Sequence, residues 1–373
     1  MSRVAIIGKG TAGCLAVAYF YKQGYDITWY YNSNKKAQAV GEGAQLNLPS
    51  LMYKSAGWNF DDWREVDGNY KIGIHYRNWG DKGDYFHNFL PPQVSQHFNA
   101  VKLQNLIFNL YKDKVKCVDG DIEHKDIPED FIFDCSGKPK DYSKFHASEF
   151  IPVNSVHVTQ CYWEYPEFDY TVTCARPYGW VFGIPLQNRC SIGYLYNKDF
   201  NTLDEVKEDV KNVFADYELT PSEDTNSFSF ENYYRKKNFE GNVAYCGNSS
   251  FFLEPMEATS ILTMEWIMRK ADDLWQGYTD EPTANQEYLD WNRECEHIIM
   301  MHYAAGSRWF NDFWTYAKTR GQNCLTDARG YPKWNEFVNA ALTGEYDDIS
   351  KQYGGGWAYH SFAENLEGLG LHV

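Results

Sequence analysis

The chain has 373 residues, of which 43 % are apolar and 23 % charged, an ordinary globular composition with length for two or three structural units. Its formal charge of −16 opposes a phosphate backbone, which excludes nucleic acid as an expected partner. No apolar run reaches the roughly 18 residues of a membrane helix, so no membrane span is expected.

A strand–helix–strand pattern opens the chain. Residues 3–8 predict a buried strand, 12–23 a helix and 26–31 a second strand. Met1-Ser2-Arg3 leads straight into the first strand, so no signal peptide is expected. Residues 68–90 predict aromatic-rich strands that end at Pro91-Pro92. An amphipathic helix is predicted over 97–112, with Val101, Leu103, Leu106, Ile107 and Leu110 at helical spacing. Residues 130–135 predict another buried strand, stopped by Ser136-Gly137. Alternation over 151–200 predicts a mostly antiparallel sheet, followed by a helix over 202–217 and strands over 227–247. From Thr259 the pattern is helical, with Gly354-Gly355-Gly356-Trp357 interrupting it. The nine cysteines form no C-x-x-C pair, so reduced thiols and a cytoplasmic location are expected. No His/Cys cluster has zinc-ligand spacing, and no metal site is expected.

Gly8-Lys9-Gly10-Thr11-Ala12-Gly13 lies where the first strand turns into the first helix. The first glycine permits the tight turn, the second lets a pyrophosphate approach the backbone, and the third lets helix pack on strand. Thr11 and Ala12 open the helix whose N-terminus faces the phosphates. A dinucleotide site is therefore predicted. The acidic residue expected about 20 residues on, to bind a ribose hydroxyl, is absent. The second strand ends Trp29-Tyr30-Tyr31-Asn32, which leaves Asn32 as a weaker ribose partner. This speaks against an ordinary NAD site and leaves FAD open. Two later segments favour FAD: Phe131-Ile132-Phe133-Asp134-Cys135-Ser136-Gly137, and Gly241 to Asn248, which ends in Gly247-Asn248 where two-segment FAD domains usually carry Gly-Asp.

Several further segments, in chain order, resemble flavin-dependent halogenases of the tryptophan-halogenase family. Val40-Gly41-Glu42-Gly43 followed by Pro49 resembles their Val-Gly-Glu-Ala-Thr-x-Pro loop beside the flavin. Tyr70-Lys71-x-Gly73-Ile74-x-Tyr76-x-Asn78-Trp79 resembles their lysine strand. Trp180-x-Phe182-x-Ile184-Pro185 resembles their Trp-x-Trp-x-Ile-Pro motif. Glu254-Pro255-Met256-Glu257-Ala258-Thr259-Ser260 resembles their Glu-Pro-Leu-Glu-Ser-Thr-Gly segment. His302-Tyr303, Arg308 and Phe313-Trp314 resemble a stretch of their helical part. The likeness runs over about residues 3–315.

The resemblance implies an α/β fold: an FAD-binding Rossmann-like domain in two segments, an inserted mostly antiparallel β-sheet and a helical C-terminal part. The expected division is an FAD-binding domain at 1–66, 97–150 and 236–265, a substrate-side sheet at 67–96 and 151–235, and a helical part at 266–373. It also implies a chemistry. FADH2 reacts with O2 to a C4a-hydroperoxide, halide attacks it, and hypohalous acid passes to Lys71. The amine holds it by hydrogen bond or as an N-halo adduct. Glu257 stabilises the arenium intermediate and takes its proton. The implied cofactor contacts are Gly8, Gly10, Thr11, Ala12, Gly13, Asn32, Gly41, Glu42, Gly43, Gly247 and Asn248. Halide is expected at the backbone amides of Thr259 and Ser260. Trp180, Phe182, Ile184 and Pro185 form the motif near the flavin that keeps substrate away from it.

The chain departs from the family at Ala258, usually Ser, and at Ser260, usually Gly, which bears on halide affinity and choice of halide. Phe182 stands for the second Trp, which leaves leakage toward monooxygenation open. The chain is also shorter than typical members, with much of the deficit placed after residue 315. Trp309, Trp314, Trp357, Tyr359 and His360 are candidates for an aromatic pocket, with packing as the alternative. A phenol, indole or other electron-rich arene is expected as the small aromatic substrate rather than free tryptophan. One dinucleotide motif implies a separate flavin reductase as partner, and a homodimer is left open. The alternatives are a flavin-dependent aromatic monooxygenase and a degenerate flavin-binding protein without turnover.

Overall fold

Val4, Ala5 and Ile6 are buried on both sides of their strand, as in a parallel sheet covered on both faces. The computed structural model describes residues 2–35 and 42–372. The chain divides into two units. The first comprises Met1–Gly68, Phe98–Ala147 and Tyr233–Trp291, and the second Asn69–His97, Ser148–Asn232 and Asn292–Val373.

The first unit is built on a six-stranded sheet in the order Phe239–Glu240, Val243–Tyr245, Phe131–Asp134, Arg3–Ile7, Asp26–Tyr31, Lys116–Asp119. The last five are parallel, and Phe239–Glu240 adds an antiparallel edge. Chain order reverses between Arg3–Ile7 and Phe131–Asp134, so their carboxyl ends form a topological switch point, where doubly wound sheets bind ligands. The helix Thr11–Lys22 follows the first strand and buries Ala12 through Phe20. Phe20 meets Phe133 at 5.0 Å and Trp275 at 5.2 Å between ring centres. The opposite face carries Ala5, Ile7, Tyr30 and Ile132, covered by Ile122 and Ile127.

The second unit holds a seven-stranded sheet in the order Pro221–Ser229, Ser155–Tyr162, Arg189–Tyr196, Gly179–Pro185, Thr171–Arg176, Gly73–Trp79, Gly83–Asn88. Its pairs are antiparallel, except that Thr171–Arg176 runs parallel to Gly73–Trp79. The helix Leu203–Asp216 starts at a capping box between Thr202 and Glu205. Its Val206, Val210 and Val213 pack on Val181, Ile192 and Tyr194.

The predicted strands and helices are found at nearly the expected places, with two informative differences. The helix expected over 97–112 begins at Ala100, because Ser95–His97 is a strand and Asn99 caps Lys102 N–H at 3.1 Å. Asn69–Lys71 does not join the main sheet; it pairs antiparallel with Ser95–His97, Lys71 opposite Ser95. Residues 266–291 group with the nucleotide-type sheet and 292–373 with the seven-stranded sheet, so the long helix Glu281–Ala305 has residues in both units. Among the described residues no helix is long and apolar enough to cross a membrane.

Arg176 holds the Leu203–Asp216 helix to the sheet. Its guanidinium donates to both oxygens of Asp209, at 2.9 and 2.6 Å, and the Tyr194 hydroxyl donates to the same carboxylate at 2.9 Å. Both partners are buried. Arg176→Met would leave the Asp209 charge buried beside neutral donors, and urea unfolding should show a loss of about 3–5 kcal/mol. Arg176→Met combined with Asp209→Leu should recover most of it.

Candidate active site

At the switch point the loops after three parallel strands meet. Cys246 N–H donates to Asp134 O and Cys135 N–H donates to Ile7 O, each at 2.8 Å. Gly8 has φ +107°, and a side chain there would run into the Cys135 carbonyl at 2.2 Å. A Cβ on Gly13 would lie 2.2 Å from Gly8 O, so the helix can approach the turn only as glycine. The space beside Gly10, in contrast, is open: nothing lies within 4 Å of a Cβ built there. Gly10 is the N-cap of Thr11–Lys22, with no side chain capping the helix. An uncapped helix start facing open space at a switch point fits the pyrophosphate of a dinucleotide.

The other expected cofactor residues of this unit are placed as follows. Thr11 Oγ1 accepts from Gln104 at 3.0 Å, and Ala12 is buried. Gly247 adopts φ +64° with its Cβ direction 2.8 Å from Ala12 Cβ, and Asn248 O accepts from the Tyr233 hydroxyl at 2.7 Å. Asn32 is engaged locally: its Oδ1 accepts from Asn34 N–H at 2.9 Å, and its side chain bonds Asp121. Gly41 lies outside the described residues. Glu42 is buried and its carbonyl accepts from Phe98 N–H at 2.9 Å, while Gly43 is half-buried.

Glu257 and its neighbours depart from ordinary backbone geometry. Glu257 has φ +68° and Ala258 φ +50°, two successive non-glycine residues in the left-handed region. The Gln45 carboxamide donates to the Glu257 carbonyl, which ties the loop after Gly43 to this segment. Glu257 is only 3 % exposed. Thr259 and Ser260 begin the helix Thr259–Trp275, whose N-cap Ala258 offers no side-chain bond to their amides. Those amides can receive an anion.

In the second unit, Lys71 has no solvent exposure. Its Nζ lies 5.5 Å from the Phe89 ring centre. Burial, with the Lys71 charge adding to it, pushes the His87 imidazole down to about 3 and His97 well below its usual value. Both rings are thus neutral beside the amine. His97 Nε2 bonds Thr171 Oγ1 at 2.8 Å, which links the lysine hairpin to the main sheet. Tyr76, Thr173, Phe182 and Gly193 form one cross-strand row of that sheet. Trp180 is buried, with its ring centre 6.3 Å from that of Phe182; Ile184 is half-buried and Pro185 buried. His302 stacks on Tyr76 at 4.8 Å, and Trp79 meets Tyr303 at 5.7 Å and Trp314 at 5.4 Å. The helical stretch thus buttresses the strand that follows Lys71. Trp314 Nε1 donates to Arg176 O at 2.8 Å, a packing role. Trp357 reaches His87 at 5.9 Å from a short hairpin near the C-terminus.

Sequence reasoning had not singled out Gln45, His87, Phe89 or His97. The alternation Tyr85, His87, Phe89 carried a signal for two of them, since those side chains share one face of an extended segment. Among the described residues no group of three or more His, Cys, Asp or Glu could hold a metal ion.

A family model for tryptophan halogenase matches residues 3–129 and 108–326. Tryptophan 7-halogenase RebH of Lentzea aerocolonigenes is 22 % identical over 486 aligned residues, which take in 100 % of this chain and 90 % of RebH. That span exceeds the length of this chain, so RebH carries insertions within it. 7-Chloro-L-tryptophan 6-halogenase KtzR of Kutzneria sp. (strain 744) is 27 % identical over 161 residues, 40 % of this chain and 30 % of KtzR. Among solved structures, Xcc4156, a flavin-dependent halogenase from Xanthomonas campestris, superposes with a TM-score of 0.81 at 17 % identity, covering 100 % of this chain and 89 % of that one. These structural likenesses establish a shared fold.

Buried neutral histidines make stability depend on pH. Burial lowers His87 and His297 to about 3 and His302 to about 4, against an unfolded value near 6.5. Their contribution is complete above pH 6.5 and is lost as pH falls from there toward 3, because the unfolded chain binds the extra protons. Each costs about 1.4 kcal/mol per pH unit in that window. Urea stability should therefore fall between pH 6.5 and 5, and His297→Gln should reduce the slope by about one proton's worth.

Proposed function

Because the chain belongs to the tryptophan halogenase family and is an enzyme of the flavin-dependent halogenase class, we propose that it halogenates an electron-rich aromatic substrate through Lys71. The observation that carries this is the complete burial of that amine beside Phe89 and two neutral imidazoles. A buried lysine is costly to keep in a fold unless its chemistry is used.

The Gly8–Gly13 turn, the helix start at Thr11 and the Gly247-Asn248 loop would hold FAD. When bound as FADH2, the flavin supplies the electrons with which O2 oxidises halide to hypohalous acid. Halide is held by the amides of Thr259 and Ser260. Lys71 then takes the oxidant, either as a hydrogen-bond donor or, as the free amine, by displacing water to form an N–halogen bond. The halogen passes to the arene, the Lys71 amine is regenerated, and the Glu257 carboxylate stabilises the cationic ring and accepts its proton. The reading requires both side chains to reach the same arene. Trp180 and Phe182 keep the arene from the flavin. A separate flavin reductase supplies FADH2, and a phenol or indole is the substrate class.

Incubation with FAD, a flavin reductase, NADH, a mixture of arenes and each of chloride, bromide and iodide tests this by mass spectrometry. A halogenated product is expected, lost in Lys71→Ala with flavin binding retained. Glu257→Gln should lower the rate by about 10²–10³-fold. Hydroxylated product from the wild-type protein would move the function to a monooxygenase, and flavin binding without any product would move it to a non-catalytic flavoprotein.

A further inference from the structure

The histidines buried in the second unit differ in one respect. His97 bonds Thr171, His157 bonds Ser227 at 2.8 Å, His297 bonds Tyr353 at 2.6 Å, and His302 bonds Ile298 O at 3.0 Å. His87 is 1 % exposed, and neither of its ring nitrogens has a hydrogen-bond partner among the described residues. Two polar atoms stranded in one buried ring are unusual, and such groups mark ligand or catalytic positions. The ring is not wedged in by stacking either. Phe89 and Trp357 meet it edge-on, at 89° and 71°, with centres 5.8 and 5.9 Å away. The charge of Lys71 bears directly on it.

We propose that His87 selects the substrate: its imidazole hydrogen-bonds the hydroxyl or ring N–H of a phenol or indole. A neutral imidazole presents one donor and one acceptor, the complement of a ring O–H, and its acceptor nitrogen suits a ring N–H. It remains neutral through the physiological range, so it reads a neutral arene and asks for no charged tail. Phe89 and Trp357 add apolar surface beside the bond. A site built around a hydrogen bond strongly rejects the analogue that lacks the proton, because its own polar atoms are then left unpaired. Phenol should therefore be preferred to anisole, and indole to 1-methylindole. This rests on the halogenase reading for its chemistry, but the binding preference can be measured without turnover.

The test is competition between phenol and anisole with FAD, reductase, NADH and bromide, reading the product ratio by mass spectrometry. Free hypobromous acid in the same buffer gives the intrinsic ratio. The wild-type ratio should exceed the intrinsic one by about tenfold or more. His87→Phe should return it to the intrinsic value, and His87→Gln, which keeps a donor and an acceptor, should retain part of the preference. In parallel, wild-type affinities for phenol and anisole are measured by calorimetry and should differ in the same direction. An unchanged ratio in His87→Phe, or equal affinities for the two ligands, overturns the proposal. Loss of rate on both substrates with the ratio intact would make His87 a packing residue and also overturns it. If no arene is halogenated, the halogenase reading fails, and the calorimetric pair alone decides the role of His87. The same pair, with His87→Gln, decides it should His87→Phe lose its cooperative melt.

Discussion

Keeping the Lys71 amine out of water is the demand around which the second unit is arranged. An ammonium loses its hydration on burial, and nearby cations would raise that cost. The groups beside it do not add charge: Phe89 offers a ring face, and His87 and His97 are held neutral. The hairpin Asn69–Lys71 with Ser95–His97 is short, and a short hairpin is a poor anchor alone. The His97–Thr171 bond fastens it to the large sheet. Stacking of His302 on Tyr76 and packing of Tyr303 and Trp314 on Trp79 then fix the strand that continues from it. The aromatic richness of the chain is spent in part on this support.

The first unit meets a different constraint, set by backbone instead of charge. Glu257 and Ala258 both sit at positive φ without being glycine, which costs of order 1–3 kcal/mol each. Such geometry persists only when neighbours hold it, and the Gln45 bond to the Glu257 carbonyl is one such hold. Two residues in this conformation swing the chain from Pro255 into the helix at Thr259, so that the first amides of the helix follow directly on the carboxylate. The usual Ser at position 258 would not relieve that strain. Its replacement by Ala removes a hydroxyl and leaves the turn as it is, so the departure bears on anion contacts more than on the fold.

The fold was largely legible because its signals are local. Gly8-x-Gly10-x-x-Gly13 after an apolar run announces a strand turning into a helix, and the close contacts at Gly8 and Gly13 are the physical reason for those residues. Lys71 and Glu257 were legible through motif likeness alone. Nothing in the spacing around Lys71 distinguished a buried amine from one on a strand edge. That depends on Ser95–His97, residues 24 to 26 positions further on that pair with it. The helix predicted from 97 ran over this strand because three residues carry no periodicity. His87 was invisible for a related reason: its meaning lies in bonds it does not make, and a sequence does not record those.

Phe182 shows how a departure can change meaning once pairing is known. Read along the chain, Phe in place of the second Trp narrows the motif and weakens the screen between arene and flavin. Across the sheet, Phe182 faces Gly193, and its ring occupies the volume a Cβ there would need, 2.0 Å away at the closest atom. The ring therefore lies down on the neighbouring strand where a residue with any side chain would have pushed it off. A larger indole would have to do the same over the same glycine. Position 182 and position 193 thus form one packing unit, and the width of the screen is set by the pair. Trp180, two residues earlier on the same face, stays buried against Phe182 and completes it.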